Sequence, residues 1–310
     1  MIVCCGEALI DMLPRKNPDG LTVYLPKSGG SVFNTAIALG RLDVPVGFCS
    51  GLSTDFFGAE LKAALDASNV DLRYIHSSDL PTTLAFVQLT GGHASYLFYD
   101  ENSAGRMLSE DDLPEFQDDV AALHFSGISL VPEPCGSTYE GLMRREKDKR
   151  VILLDPNLRR PFIKDPTSHR ARLRRMIAMA DVVKLSDEDL EWFGEDGSVE
   201  DIAQRWLQLG PALVVLTAGD KGLVAYAASG KVEVAAPEVN VVDTVGAGDT
   251  VNAGLLAGFH DAGVLTKDAI RDLSAADIRT ALELASQAAA ITVSRAGANP
   301  PRRSELAQSA

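Results

Sequence analysis

Short runs of unbroken apolar residues alternate along this chain with longer stretches in which apolar positions recur every three or four residues. Runs of the first kind predict strands at 2–5, 46–50, 121–126, 151–155, 182–185, 213–217, 224–227 and 231–235. Stretches of the second kind predict helices at 31–42, 57–68, 134–149, 169–180, 187–193, 199–209, 249–261 and 277–293. Strands that are apolar throughout, with helices between them, argue for a mainly parallel central sheet covered on both faces, an α/β fold. In such sheets ligands collect beyond the carboxyl ends of the strands.

Two regions break the alternation. Residues 20–28 place apolar and polar side chains in turn, as a half-exposed strand does, and 82–100 does so twice around Gly91-Gly92. Paired glycines between alternating runs are a hairpin signal. These strands predict a small antiparallel sheet outside the main layer. It is either an edge extension or a lid carrying Tyr96, Phe98 or Tyr99 toward a ligand, and the pattern leaves both open. A further β-branched run, Val239, Val241 and Val242, predicts a strand ending near Asp243. No repeat or low-complexity segment appears. The chain therefore reads as one α/β domain over 1–310, with lid strands inserted at about 12–28 and about 82–105.

Composition narrows the function classes. The 310 residues are 46% hydrophobic and 23% charged, a globular balance. The net charge of −14 argues against nucleic acid, whose phosphates demand a basic face, but allows one local site for a small anion. The apolar run at 3–10 is too short to span or target a membrane. Cys4, Cys5, Cys49 and Cys135 form no Cys-x-x-Cys pair and no His cluster accompanies them, so zinc is not expected. Cys4 and Cys5, in the apolar first strand, read as small buried hydrophobes, and a reduced, cytoplasmic compartment is expected.

The stretch with most chemistry is Asp243-Thr244-Val245-Gly246-Ala247-Gly248-Asp249. Gly246, Ala247 and Gly248 allow a tight turn, and the apolar period from Val251 to Phe259 opens a helix directly after it. The first N–H groups of a helix lack internal partners and the helix dipole adds positive charge there, which makes an anion site. Asp249 stands in that place as a carboxylate able to take a proton from an attacking hydroxyl. As an isolated feature, an Asp there is more often only a helix cap. Asp11 follows an apolar run and should emerge at the carboxyl end of the first strand, where it could accept hydroxyl hydrogen bonds. Gly29 and Gly30 let a ligand approach the backbone, and Asn34 puts a polar group one turn into the next helix. Thr217, Gly219 and Gly222 follow an apolar strand and read either as a turn or as a phosphate loop. No Walker sequence is present.

Taken in this order along the whole chain, the pieces resemble the PfkB, or ribokinase-like, family of carbohydrate kinases. The resemblance implies a ribokinase-like α/β fold with a small β lid, and ATP-dependent transfer of a phosphoryl group to a sugar hydroxyl. It implies that Asp249 is the catalytic base and that Gly246, Ala247 and Gly248 form an anion hole. Asp11, Gly29, Gly30, Asn34, Phe98, Asn157 and Arg159 would meet the sugar. Lys184, Thr217, Gly219, Gly222 and Ser286 would meet ATP, and Glu188 would act through Mg²⁺. A monovalent cation, K⁺, would lie among Asp243, Val245, Thr292, Arg295 and Gly297. Asp155-Pro156-Asn157-Leu158-Arg159 is similar to fructokinases, with 2-keto-3-deoxygluconate kinases carrying a related motif. Asp100, directly after Phe98-Tyr99, would make the lid acidic and favour a neutral sugar over a sugar acid. Fructose is the expected acceptor. The alternatives are another sugar, sugar acid or nucleoside acceptor, or a non-catalytic sugar-binding sensor. The exposed edges of the lid imply a homodimer formed through it.

Overall fold

The structure is a computed structural model that describes residues 1–90 and 93–306. Among the described residues the central sheet has nine strands. From edge to edge they are Gly230–Val234, Leu223–Ala227, Leu213–Thr217, Val182–Ser186, Val151–Asp155, Ala122–Ser126, Ile2–Cys5, Val46–Cys49 and Val70–Asp71. The last seven run parallel and the first two are antiparallel additions. The predicted strands and helices form with their ends shifted by a few residues.

Alternation along each strand divides the core into two layers. Ile2, Cys4, Phe48, Leu153 and Val215 face the helices Ser31–Arg41, Ala247–Asp261 and Ala275–Val293. Val3, Cys5, Phe125, Leu154 and Leu216 face the helices Cys135–Glu146, Pro166–Ile177 and Val199–Leu207. All four cysteines are buried and free. Within this sheet the first three strands in sequence, Ile2–Cys5, Val46–Cys49 and Val70–Asp71, follow one another toward one edge, and the chain then crosses to Ala122–Ser126 on the other flank of Ile2–Cys5. That reversal opens a crevice at the carboxyl ends of Ile2–Cys5 and Ala122–Ser126, the switch point where α/β sheets bind ligands. The helices Ala247–Asp261 and Ala275–Val293 pack almost backbone to backbone over one face. A Cβ on Gly254 would sit 2.3 Å from Ala285 Cα, and one on Gly258 2.6 Å from Ala281 Cα.

The second sheet is ordered Thr22–Gly29, Leu9–Lys16, Leu84–Thr90, His93–Tyr99. Its outer pairings are antiparallel as expected, but its central pairing, Leu9–Lys16 with Leu84–Thr90, is parallel. The Gly91-Gly92 turn lies outside the described residues. Two sequence expectations fail. Asp11 does not end the first strand; the chain turns at Gly6 and Asp11 lies inside Leu9–Lys16, opposite Lys27 and Ala85. The β-branched run at 239–242 is no strand. After Val234 the chain leaves the sheet edge and crosses to the end of Ala275–Val293, where the N–H groups of Val242 and Asp243 donate to the Val293 carbonyl at 2.8 and 3.2 Å. Val239, Val241 and Val242 remain exposed on that crossing.

Candidate active site

The crevice at the switch point holds a cavity of 280 Å³. Asp249 stands in its wall. Gly246 precedes the helix Ala247–Asp261 with φ +79°, a conformation only glycine adopts freely, and a Cβ there would press into Ala298 at 2.7 Å. The Thr250 N–H closes the first turn on the Gly246 carbonyl at 2.9 Å. The Ala247 N–H bends back to the Thr244 carbonyl at 3.2 Å, so Ala247 is not part of an open anion hole. The N–H groups of Gly248 and Asp249 have no acceptor among the described residues and carry the positive end of the helix dipole.

Asp249 is 8% exposed, and its carboxyl is pushed up to about 7. Burial is the main cause. It outweighs the Asn34 side-chain amide, which donates to Oδ2 at 2.9 Å, and the cations Arg159 and Lys184. A carboxylate poised near neutrality is suited to accept a proton. Asn34 thus meets the carboxylate directly, a role its place one turn into Ser31–Arg41 did not reveal. Asp11 lies across the cavity, its carboxyl pushed up to about 6 by burial against the opposing pull of Arg159. Gly29 is required beside it, since a Cβ there would fall 2.3 Å from Asp11 Oδ2. Arg159 is held by the Asn157 side-chain oxygen at 2.6 Å. Tyr96 and Phe98 stack at 6.0 Å and line the cavity from the lid, while Tyr99 turns outward, as strand alternation requires. Gly30 completes the wall.

Lys184 belongs to this cavity and not to the Thr217–Gly222 loop. Its ammonium bonds Asp155 Oδ2 at 3.0 Å, and a Cβ on Gly248 would lie only 3.1 Å from Nζ. Asp155 is fully buried and also accepts from the Asn252 amide at 2.8 Å and the Asn157 N–H at 3.1 Å. Sequence reading missed Asp155 and Asn252. It also missed Glu7, a buried carboxylate that accepts from the Ser31 N–H at 3.0 Å and hydroxyl at 2.7 Å and so anchors the helix bearing Asn34.

A second cavity, of 440 Å³, adjoins the first through Thr244 and Gly248, which line both. Thr217, Gly219, Gly222 and Ser286 edge it, and Val239, Val241, Val251 and Val293 give it an apolar wall. Glu188 is exposed and lines neither cavity; its carbonyl accepts from Arg160 at 2.6 Å. It sits in the first turn of Asp187–Phe193, which points it to solvent. Asp100 also fails its expected role. The chain turns after Tyr99, and Asp100 is buried beside Arg106 at 3.2 Å, outside the cavity of Asp249. The lid therefore presents no acidic group from Asp100 to a substrate.

At the far side of the helix start, Asp243 accepts from the Val245 N–H at 3.0 Å and the Gly297 N–H at 2.9 Å. It clamps the loop before the helix to the one after Ala275–Val293. The Thr292 hydroxyl lies 3.0 Å from that of Thr250, and the Thr292 carbonyl accepts the Arg295 N–H at 3.1 Å. The Arg295 side chain departs toward Glu305. Among the described residues no group of three or more His, Cys, Asp or Glu could hold a metal ion, and no helix is long and apolar enough to cross a membrane.

Known proteins similar to this chain point to one family. The model of the pfkB family of carbohydrate kinases matches residues 1–305. A fructokinase of Rhizobium leguminosarum bv. trifolii is 52% identical over 279 residues, covering 90% of this chain and 86% of that protein. The solved fructokinase of Xylella fastidiosa with bound ATP superposes with a TM-score of 0.88 at 28% identity, covering 99% of this chain and 98% of the other. A Vibrio cholerae fructokinase bound to fructose, ADP and calcium ion gives 0.86 at 28% identity, covering 99% and 97%.

Proposed function

The chain belongs to the pfkB family of carbohydrate kinases, a phosphotransferase acting on a sugar hydroxyl, and from that premise we propose that its acceptor is fructose and its donor ATP. One observation carries the reading: a buried carboxylate near neutrality, Asp249, at the helix start whose Thr244 and Gly248 divide a sugar-sized cavity from a nucleotide-sized one. The sugar lies among Asp11, Gly30, Asn34, Phe98, Asn157 and Arg159. The nucleotide lies against Thr217, Gly219, Gly222 and Ser286, its base on the valine wall.

The chemistry then follows from charge. A primary hydroxyl of the sugar gives its proton to Asp249 as its oxygen bonds to the γ-phosphorus. The bond from that phosphorus to the bridging oxygen breaks, and ADP leaves with the electron pair. The free amides of Gly248 and Asp249 and the Lys184 ammonium hold the charge on the transferred group. Mg²⁺ suits this donor set as an ion held chiefly by phosphates, since the described residues offer it no carboxylate cluster. When bound it neutralises phosphate charge. A monovalent cation would sit where Asp243 joins the two loops, held by carbonyls of Val245, Thr292, Arg295 and Gly297.

The test is a panel of fructose, ribose, 2-keto-3-deoxygluconate and adenosine, each assayed in potassium and in a large organic cation. Fructose should give the highest kcat/KM, and potassium should raise the rate. A higher kcat/KM for any other acceptor sinks the fructose assignment. ADP formation with none would favour the sensor. The cytoplasm is the compartment in which we place this chemistry; a periplasmic fraction holding the activity would refute that.

The lid face turned away from Asp11 and Phe98 carries Tyr24, Leu97 and Tyr99, all more than 40% exposed. We place the homodimer contact there. Light scattering should give twice the chain mass, falling to one chain in Tyr24→Lys/Leu97→Lys; a wild-type monomer refutes it.

A further inference from the structure

We propose that Asn34 is the positioning residue of the base: its side-chain amide grips one oxygen of Asp249 so that the other alone faces the sugar cavity. The proposal rests on the reading of Asp249 as the base.

The two oxygens of that carboxylate stand in different surroundings. Oδ2 accepts the Asn34 amide at 2.9 Å. Oδ1 has no partner among the described residues, is not closed off from solvent, and belongs to a residue that lines the sugar cavity. Rotation about the last side-chain bond of an aspartate is soft, so only an outside contact fixes which oxygen points at a substrate. Asn34 supplies that contact. Its NH₂ must face the carboxylate, since its carbonyl oxygen would repel it. Asn34 Oδ1 is then left without a partner among the described residues, at the cavity wall, where it can accept a sugar hydroxyl. Holding the base and meeting the sugar therefore use opposite ends of one amide.

The support behind Asn34 is firm. Asn34 lies in the first turn of Ser31–Arg41, between the buried Phe33 and Thr35. The Thr35 hydroxyl reaches the Asp249 carbonyl at 3.3 Å, a second tie between the two helices. The Glu7 carboxylate accepts the Ser31 N–H at 3.0 Å and fixes the start of the same turn.

Among the described residues no other side chain bonds the Asp249 carboxylate. Lys184 and Asp155 act on it from their strands, Arg159 from the turn after Val151–Asp155, and Tyr96 from the lid. Asp11 and Glu7 share its cavity. Lys184 is tied to Asp155, Arg159 to Asn157 and Glu7 to Ser31. A neutral amide suits the task, because a cation in contact would hold the carboxyl well below neutrality and weaken it as a base.

The test reads Asp249 in two ways. The NMR signal of its carboxyl carbon, assigned by its loss in Asp249→Asn, follows its titration apart from that of Asp11, which lies at about 6. The acid limb of kcat/KM reports the same group through the reaction of the free enzyme. In Asn34→Ala both midpoints should rise together by about one pH unit, the worth of one hydrogen bond to a charged group. Asn34→Asp sets a second carboxylate in the same space and should raise them further. At about pH 9 the carboxyl is ionised in wild type and in Asn34→Ala alike, yet kcat at saturating sugar should stay about tenfold down, because the carboxylate is free to turn. Unmoved midpoints with a raised KM overturn the proposal, leaving Asn34 a sugar contact only. So does a kcat that recovers the wild-type value at high pH. A carbon midpoint that moves without the kinetic one has a different meaning: the contact is real, but Asp249 is not the base, and the proposal falls with that reading.

Discussion

Asp249→Asn is expected to fold normally, bind nucleotide and lose about 10²–10⁴-fold in turnover, the contribution of a positioned base. The amide fills the same space but cannot take the hydroxyl proton. The pH profile carries the same information in the unsubstituted protein. With the Asp249 carboxyl at about 7, kcat/KM should fall about tenfold per pH unit below that value, as the base becomes protonated. Stability runs in the opposite sense. The folded pKa lies above the unfolded value near 3.8, so the folded protein holds the proton more tightly. Stability from this group is present below the unfolded pKa and is lost as pH rises from about 4 to about 7. The Asn variant lacks that loss. Its stability advantage over wild type should therefore grow from pH 4 to pH 7, as read from urea midpoints. Near-normal turnover in the variant, or a flat difference in midpoint, would remove Asp249 from the role of base.

The second large effect is expected at Lys184. Lys184→Met leaves the fully buried Asp155 carboxylate with only amide donors, Asn252 and the Asn157 N–H. Removing one partner of a buried pair strands the other charge, at about 3–5 kcal/mol. Loss of the ammonium beside Gly248 should also lower kcat by about 10²–10³-fold, as for a donor aimed at developing charge. The two effects separate in the double variant Lys184→Met/Asp155→Asn. It should regain most of the stability, because no charge is left buried, yet remain catalytically poor. Recovery of turnover in the double variant would mean that Lys184 only neutralises Asp155.

Asp155 and Lys184 also show where sequence reading stops. Each is a charge within or at the end of a run otherwise apolar, which in a doubly covered sheet must find a partner. That signal was present in 151–155 and 182–186. The partnership follows only from register: Leu154 pairs with Val183, so the next residues of the two strands lie side by side. Glu7 was hidden for a related reason, since its meaning depends on Ser31 and Ser129 arriving from distant segments. The error at 239–242 is of another kind. β-branched residues there satisfy strand propensity, but a strand needs a neighbour, and the chain has already left the sheet edge.

Local side-chain order was enough to specify the alternation of strands and helices, the parallel sheet and the small-residue turn that begins the helix of Asp249. Those features depend on side-chain period and local backbone freedom, which are written in neighbouring residues. Only the folded arrangement shows that Asn34 holds Asp249, that Lys184 joins the sugar cavity, that Asp100 turns away from it, and that Glu188 faces solvent. The first two rest on the pairing of buried groups 215 and 29 residues apart, and the last two on where a turn and a helix lie against the rest of the fold, which no local pattern specifies.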